Sequence, residues 1–322
     1  MASSTKRVEF VILKRRLNIG DGLFFLIVVA GAASIILTMA ALIAVLTNEG
    51  WRSLTEFKFG FLTGTEWNPV TKEFGALPAI YGTVVSSLIG LAIAVPVSVG
   101  VAIFLAEVAP GPVRVPVSFF VEMLAALPSV VFGLWGLYIM APWVRDLEKG
   151  VLKPWFGWTP IFDGPAIGFG MLASGIILAI MILPIITAIS RDVLLAVPQS
   201  QREAAVALGA TKAETIWSVV LPYARPGITG AVILGLGRAV GETIAVTMLI
   251  GNTYKINASI LQPATTLASA IAAEFREAAD PLYRSALIEM GLVLLVVALA
   301  INVIARLLVW RISTRAGGEV RL

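Results

Sequence analysis

Cysteine and histidine are both missing from these 322 residues, and only 14% of the chain is Asp, Glu, Lys or Arg. Without cysteine there is no disulfide framework, thiolate metal site, iron-sulfur centre or thiol nucleophile. Without histidine the commonest metal ligand and the commonest base at neutral pH are gone. An intramembrane protease would need a Ser-His pair, a metal or two membrane aspartates. Asp21, Asp146, Asp163, Asp192 and Asp280 all fall outside the centres of the apolar stretches. No G-x-x-x-x-G-K-[ST] phosphate loop occurs either, so any ATP hydrolysis must come from another chain. Neither a catalytic residue nor a metal or cofactor site is expected.

What is plentiful is apolar surface. Hydrophobic residues make up 58% of the chain, more than a soluble fold of this size hides. An apolar stretch of roughly 20 residues with few or no charges crosses about 30 Å of hydrocarbon. Such stretches occur at 23–46, 77–106, 115–140, 168–190, 227–250 and 287–305. The expectation is an all-α membrane protein of six transmembrane helices. Its order is a tail (1–22), a first span (23–46), an external loop (47–76), a core of five spans (77–310, with a connecting loop at 191–226) and a C-terminal tail (311–322). Interior prolines, Pro96 and Pro128 among them, are kept within helices because neighbouring groups in a bundle re-satisfy the freed carbonyls.

The basic residues orient the chain. Lys6, Arg7, Lys14, Arg15 and Arg16 put the N-terminus in the cytoplasm by the positive-inside rule, and an even number of spans returns the C-terminus there. Arg306, Arg311, Arg315 and Arg321 agree, as do Arg191, Arg202, Lys212 and Arg225 in the 191–226 loop. Glu49, Glu56, Glu66, Glu73, Asp146, Glu148 and Asp163 fall outside. The net charge of +4 therefore reflects membrane orientation and not nucleic-acid binding. Trp51, Trp67, Trp143, Trp155 and Trp158 sit where indoles anchor at the interface. Glu122 is expected to snorkel or cap, and Asp280 and Glu289 to lie at an outer boundary.

The 191–226 loop reads as two short helices. Ser200 to Glu203 and Thr211 to Glu214 both have the capping-box form, Gly209 suits a left-handed helix end, and Pro222 bounds the second helix. Ala204, Ala205 and Leu208 make one apolar strip, and Ile216, Trp217 and Val220 another. Either the chain's own membrane-facing ends or a partner must cover them. Glu203-Ala204-Ala205, then Gly209, then Leu221-Pro222 resemble the EAA motif of binding-protein-dependent ABC importer permeases, with Val219 where that pattern prefers Ile. The resemblance implies the type I importer permease fold, and cytoplasmic coupling helices in which these residues dock into a separate ATPase.

Within 227–250, Arg238 and Glu242 are costly mid-helix charges, at roughly 2.5 to 3.5 kcal/mol each. Four apart, they share a helix face and can pair. Arg238 could offer its planar fork of donors to a tetrahedral oxyanion, with Glu242 holding the guanidinium otherwise. Alternatively the pair fixes helix packing, beside a small-residue step at Gly237 and Gly241. Gly237 to Thr243 and Leu127 to Gly136 together resemble the permease subunits of phosphate-specific ABC importers. The first outer loop, with Trp67, Pro69, Phe74, Gly75 and Gly82-Thr83, favours one of that importer's two permease branches over its sister.

That resemblance implies a heterodimeric channel in the bacterial plasma membrane with a PstA-like second permease, two PstB-like ATPases and a PstS-like external phosphate-binding protein. It also assigns Arg238 and Glu242 to the phosphate path. Sulfate and molybdate permeases share the coupling loop, and an ion-coupled secondary transporter could also use an Arg-Glu pair.

Overall fold

The computed structural model describes residues 19–316. The basic N-terminal residues and Arg321 lie outside them. The chain divides into two units, residues 1–48 and 49–322. In the first, α1 (Ile19–Phe57) begins, and its apolar residues run around the whole circumference as lipid surroundings require. α1 does not stop at residue 46 but continues well into the expected external loop.

The second unit opens with the end of α1, then α2 (Gly60–Thr63) and a small antiparallel hairpin, β1 (Trp67–Asn68) and β2 (Glu73–Phe74). The first long helix of this unit is α3 (Leu77–Ile103), which ends in a π-helical turn at Phe104–Val108. Then come α4 (Gly111–Ala126), α5 (Ser129–Trp135), α6 (Ala141–Leu147) and α7 (Lys153–Phe156). The remaining elements are α8 (Met171–Leu195), α9 (Gln199–Ala207), α10 (Lys212–Thr215), α11 (Leu221–Gly241), α12 (Ile244–Leu249), α13 (Leu267–Glu274) and α14 (Pro281–Ala316). Among the described residues five helices are long and apolar enough to cross a membrane, or six if α4 and the segment starting at α5 count as one bent span.

α3 and α8 pack along their lengths, and α11 lies against α8. Small side chains allow the approach. A Cβ at Gly90 would stand 3.0 Å from the Leu178 Cβ, and one at Gly175 would strike Ile89. The Ser98 hydroxyl donates to the Leu183 carbonyl (3.1 Å) and Thr187 donates to the Ser98 carbonyl (3.4 Å), stitching the helices together near Pro96 and Pro184. Both prolines stay inside their helices.

Pro128 does not. α4 and the next helix meet at 96°, and Leu127 and Pro128 are extended, with ψ of 134° and 142°. A residue before proline avoids the helical region, and no local compensation overrides that preference here. The stretch 115–140 is therefore two helices. The Glu122 carboxylate is exposed and accepts from Arg191 at 3.2 Å.

Three further outer residues are packed into the protein. Glu289 lies inside α14 and is buried. Glu148 is also buried and accepts the Gly168 amide at 2.9 Å, serving a glycine with φ of +78°. Trp67 is no interfacial anchor, because its indole N–H donates to Glu274 Oε2 at 2.6 Å and its ring stacks on Tyr254 with centroids 5.1 Å apart.

Candidate functional site

The stretch expected as a fifth span is broken near its end. α11 stops at Gly241, Glu242 is extended (φ −69°, ψ 129°), and α12 starts afresh at Ile244. Arg238 lies in the last turn of α11 and Glu242 beyond it, so the two do not share one continuous helix face. No ion pair joins them among the described residues. Arg238 is exposed, as are Leu234 and Gly241 on the same side, while Glu242 is half-buried. The Thr243 hydroxyl donates to the Gly241 carbonyl at 3.2 Å, and Thr247 closes the first turn of α12 onto the Thr243 carbonyl at 2.7 Å. Unwound backbone at membrane depth is tolerated where it is buried in protein or lines a watery cavity.

Gly237 and Gly241 do not provide close helix contact within this chain: a Cβ at Gly237 would come no nearer than 3.9 Å to Asn302, and one at Gly241 would meet nothing within 4 Å. The close approaches on α11 are at Gly227, against Val193, and Gly235, against Ile186.

The break has a neighbour the sequence did not predict. α12 packs against α5. A Cβ at Gly133 would stand 2.7 Å from Met248 Sδ and 3.1 Å from Ala245 Cα, and one at Gly136 would be 2.7 Å from Leu249. The segment 127–136 thus packs against α12, the helix that follows 237–243. Among the described residues, the two helices that resume after a break, α5 and α12, meet here.

The second candidate surface is the loop between α8 and α11. Gly209 has φ of +89° with open space around it, so its glycine is needed for conformation and not for room. Ala210 N–H bonds to Ala205 O (3.1 Å) and Gly209 N–H to Val206 O (2.9 Å), the Schellman pattern that closes α9. At the start of α10, Thr211 and Glu214 form the expected capping box, with the Thr211 amide on the Glu214 carboxylate at 2.8 Å. The Ser200 to Glu203 box does not form. Val197 is buried and turns the chain, extended Pro198 precedes the first helical residue, and Ser200 falls inside α9. Glu203 is thereby left exposed and free of a capping role.

Nor does Pro222 end the second helix. A π-helical turn at Ile216–Val220 places the Leu221 amide on the Ile216 carbonyl, and the helix runs through Pro222 into α11. The wider turn gives the proline ring the room an α-helix denies it.

The apolar strips divide between two fates. Ala205, Ile216 and Val220 are buried, and Val220 packs with Ala102, Leu194, Val197 and Ala224. Leu208 (90% exposed), Trp217 (71%) and Val206 face outward with Ala204 and Glu203. Leu221 is half-buried and Pro222 exposed. One set holds the loop to the membrane helices, and the other is an uncovered apolar patch. Beneath it lies a contact the sequence did not reveal: Arg202 pairs with Glu107 in the π-helical turn after α3 and also donates to the Leu194 carbonyl at 2.7 Å. Both side chains are largely buried.

A profile of the family described as "Binding-protein-dependent transport system inner membrane component" matches residues 98–314. The phosphate transport system permease protein PstC of Mesorhizobium japonicum is 44% identical over 307 residues, covering 94% of each chain. The chain belongs to the PstC family of binding-protein-dependent inner membrane permeases. PstC of Pasteurella multocida is 45% identical over 290 residues (89% of this chain, 90% of that one), and PstC 2 of Mycobacterium tuberculosis is 37% identical over 309 residues (94% and 93%). Among solved structures, the MetNI methionine ABC transporter in an inward facing conformation is similar at TM-score 0.48 and 22% identity, covering 72% of this chain and 93% of that one.

As a PstC-family permease the chain is a multi-pass inner membrane component without its own ATPase, working with an ATPase and a binding protein. The Arg202–Glu107 pair and the α5–α12 contact escaped the sequence reading for one reason. Both join residues about a hundred positions apart, and no local spacing encodes such a meeting.

Proposed function

We propose that the chain forms half of the channel of an ATP-driven phosphate importer, and that phosphate released by an external binding protein passes Arg238 on its way to the cytoplasm. Exposed Arg238, at the point where a membrane helix is interrupted, carries this reading. A charge there is costly unless it meets water or an anion, and the guanidinium fork matches a tetrahedral oxyanion. Glu242, just beyond the break, limits residence by competing for the same donors, since conduction requires release. Identity with PstC proteins across nearly the whole chain supports phosphate as the cargo.

In the same reading both termini are cytoplasmic, with the bent α4–α5 pair counted as one crossing. Leu208, Trp217, Val206, Glu203 and Ala204 then face an ATPase of the PstB type. Gly209 sets the angle between the two coupling helices, and Leu221-Pro222 link them to α11. A PstA-like subunit completes the channel and a PstS-like protein delivers phosphate outside. The core 77–310 carries the path.

The test is ATP-dependent phosphate uptake by the complete assembly in proteoliposomes. Arg238→Ala should lower uptake at least about tenfold, the worth of one charge-assisted contact. Arg238→Lys should restore part of it, and excess sulfate should not compete. Unchanged uptake by a normally assembled Arg238→Ala variant would return this residue to a packing role.

A further inference from the structure

The break after α11 has a polar neighbour that the transport reading does not use. Between Glu289 and Arg306 the apolar helix α14 carries a single polar side chain, Asn302. Its Nδ2 atom donates to the Ala298 carbonyl of its own helix at 2.8 Å, while its Oδ1 atom accepts no hydrogen bond among the described residues. Asn302 is half-buried, and this oxygen is partnerless without being shut in. The amide lies against Gly237, the residue before Arg238: a Cβ there would stand 3.9 Å from both Nδ2 and Oδ1. Glycine at 237 thus sets no side chain of its own between the amide and the side of α11 on which Leu234, Arg238 and Gly241 are exposed.

We infer that Asn302 is a specificity-determining residue of the anion path, its Oδ1 atom accepting a hydrogen bond from a P–OH group of the oxyanion held by Arg238. This rests on the reading that phosphate passes Arg238. Consecutive Cα atoms are about 3.8 Å apart, so an amide seated on Gly237 is within reach of an anion on the next residue's guanidinium. At neutral pH phosphate still carries O–H donors, whereas sulfate is fully ionised and offers lone pairs only. Arg238 has donors alone and serves both anions alike. An acceptor tells them apart, because sulfate sets its lone pairs against those of Oδ1 and leaves that oxygen unpaired. A neutral amide does this without the charge repulsion that the Glu242 carboxylate exerts on either anion.

The experiment uses the full permease and ATPase assembly in lipid nanodiscs. This chain has no cysteine, so Gly241→Cys, where a Cβ meets nothing within 4 Å, places a lone thiol on it within a helical turn of Arg238. Its alkylation by a maleimide is followed by the mass of this chain while inorganic phosphate or sulfate is added at constant ionic strength. Phosphate should halve the rate at a concentration roughly tenfold below that of sulfate, the scale of one hydrogen bond made by one anion and refused to the other. Asn302→Leu, an apolar replacement in an apolar helix, should fold and bring that ratio close to one by weakening phosphate while leaving sulfate unchanged. Equal protection by the two anions in the parent overturns the assignment, as does a ratio that survives Asn302→Leu or a variant in which both anions weaken together. Arg238→Ala should abolish protection by either anion. Protection that survives this change, or that phosphate never gives in the parent, removes the underlying reading as well; protection that needs Arg238 but is indifferent to Asn302→Leu overturns the role of Asn302 alone.

Discussion

The two ends of the second unit are built in opposite ways. At one, α2, the hairpin, α13 and the start of α14 converge on Phe61, Phe74, Leu267, Tyr283, Leu287 and Met290, all buried. Glu274 accepts from both Trp67 and Tyr283 at 2.6 Å. Burial, followed by the nearby Glu274 carboxylate, pushes the Tyr254 phenol above its ordinary range. At the other end, α9 and α10 are short, and the apolar side chains Leu208 and Trp217 are uncovered. The first end covers its own apolar groups, whereas the second leaves a surface for something else to complete.

The largest effect should come from the self-sufficient end. A Cβ at Gly82 would stand 2.0 Å from the Thr265 carbonyl oxygen, a backbone atom that cannot rotate away. Next to it the Thr83 hydroxyl accepts the Leu267 amide at 2.9 Å and so seats α13. Gly82→Ala should therefore cost about 3 kcal/mol, at the upper end for overpacking, with a matching fall in the thermal midpoint of the detergent-purified protein. A variant as stable as the parent would show that this end is looser than its contacts indicate.

Next comes the hidden strut under the exposed apolar patch of Leu208 and Trp217. Glu107→Gln leaves the Arg202 guanidinium largely buried and without its carboxylate, a loss of about 2 to 3 kcal/mol given the pair's partial exposure. Because the pair ties α9 to the end of α3, the expected signature is local: faster hydrogen exchange across residues 199–207, with the hairpin at 67–74 unchanged. Exchange that rises equally in both regions would erase the distinction between the two ends.

Gly209→Val should cost less, roughly 1 to 2 kcal/mol for a β-branched residue at positive φ, and only in the loop. Membrane insertion and the thermal midpoint should hold while ATP hydrolysis loses its link to transport. Unaltered transport in vesicles would remove the coupling role from this loop.

How much of this could be read in the sequence depends on the range of the interaction. Gly209, the Thr211–Glu214 capping box and the apolar strips are set by neighbours within a turn, and they stand where local chemistry puts them. The breaks at Pro128 and Glu242 were missed because the residues on both sides are apolar, so composition runs on where the backbone does not. The Ser200 box failed because Val197 anchors the chain one step earlier, a tertiary contact overriding a local one. Trp67 was placed at the interface by type and Glu289 at an outer boundary by position, while the surroundings of each are decided by neighbours more than two hundred residues away in the sequence. The candidate site was thus named in its parts, but its assembly from two interrupted helices was not legible.

The smallest effect distinguishes the surface of the self-sufficient end from its interior. Lys72 Nζ donates to Asp280 Oδ2 at 2.6 Å between two exposed side chains, tying the hairpin loop to the start of α14. The Lys72 hydrogen bond, aided by the Leu282 amide, holds the Asp280 carboxyl below its ordinary value of 3.8. A depressed carboxyl stabilises the fold above its unfolded pKa and loses that contribution as pH falls through the folded value. The window therefore lies below about pH 4. Hydrogen exchange at the hairpin should rise slightly there, and Asp280→Asn should flatten that dependence. Salt near 1 M should mimic the variant at neutral pH, where the Debye length is about 3 Å. If instead the hairpin loosens cooperatively with the aromatic cluster, the exposed ion pair and not the buried rings holds this end together.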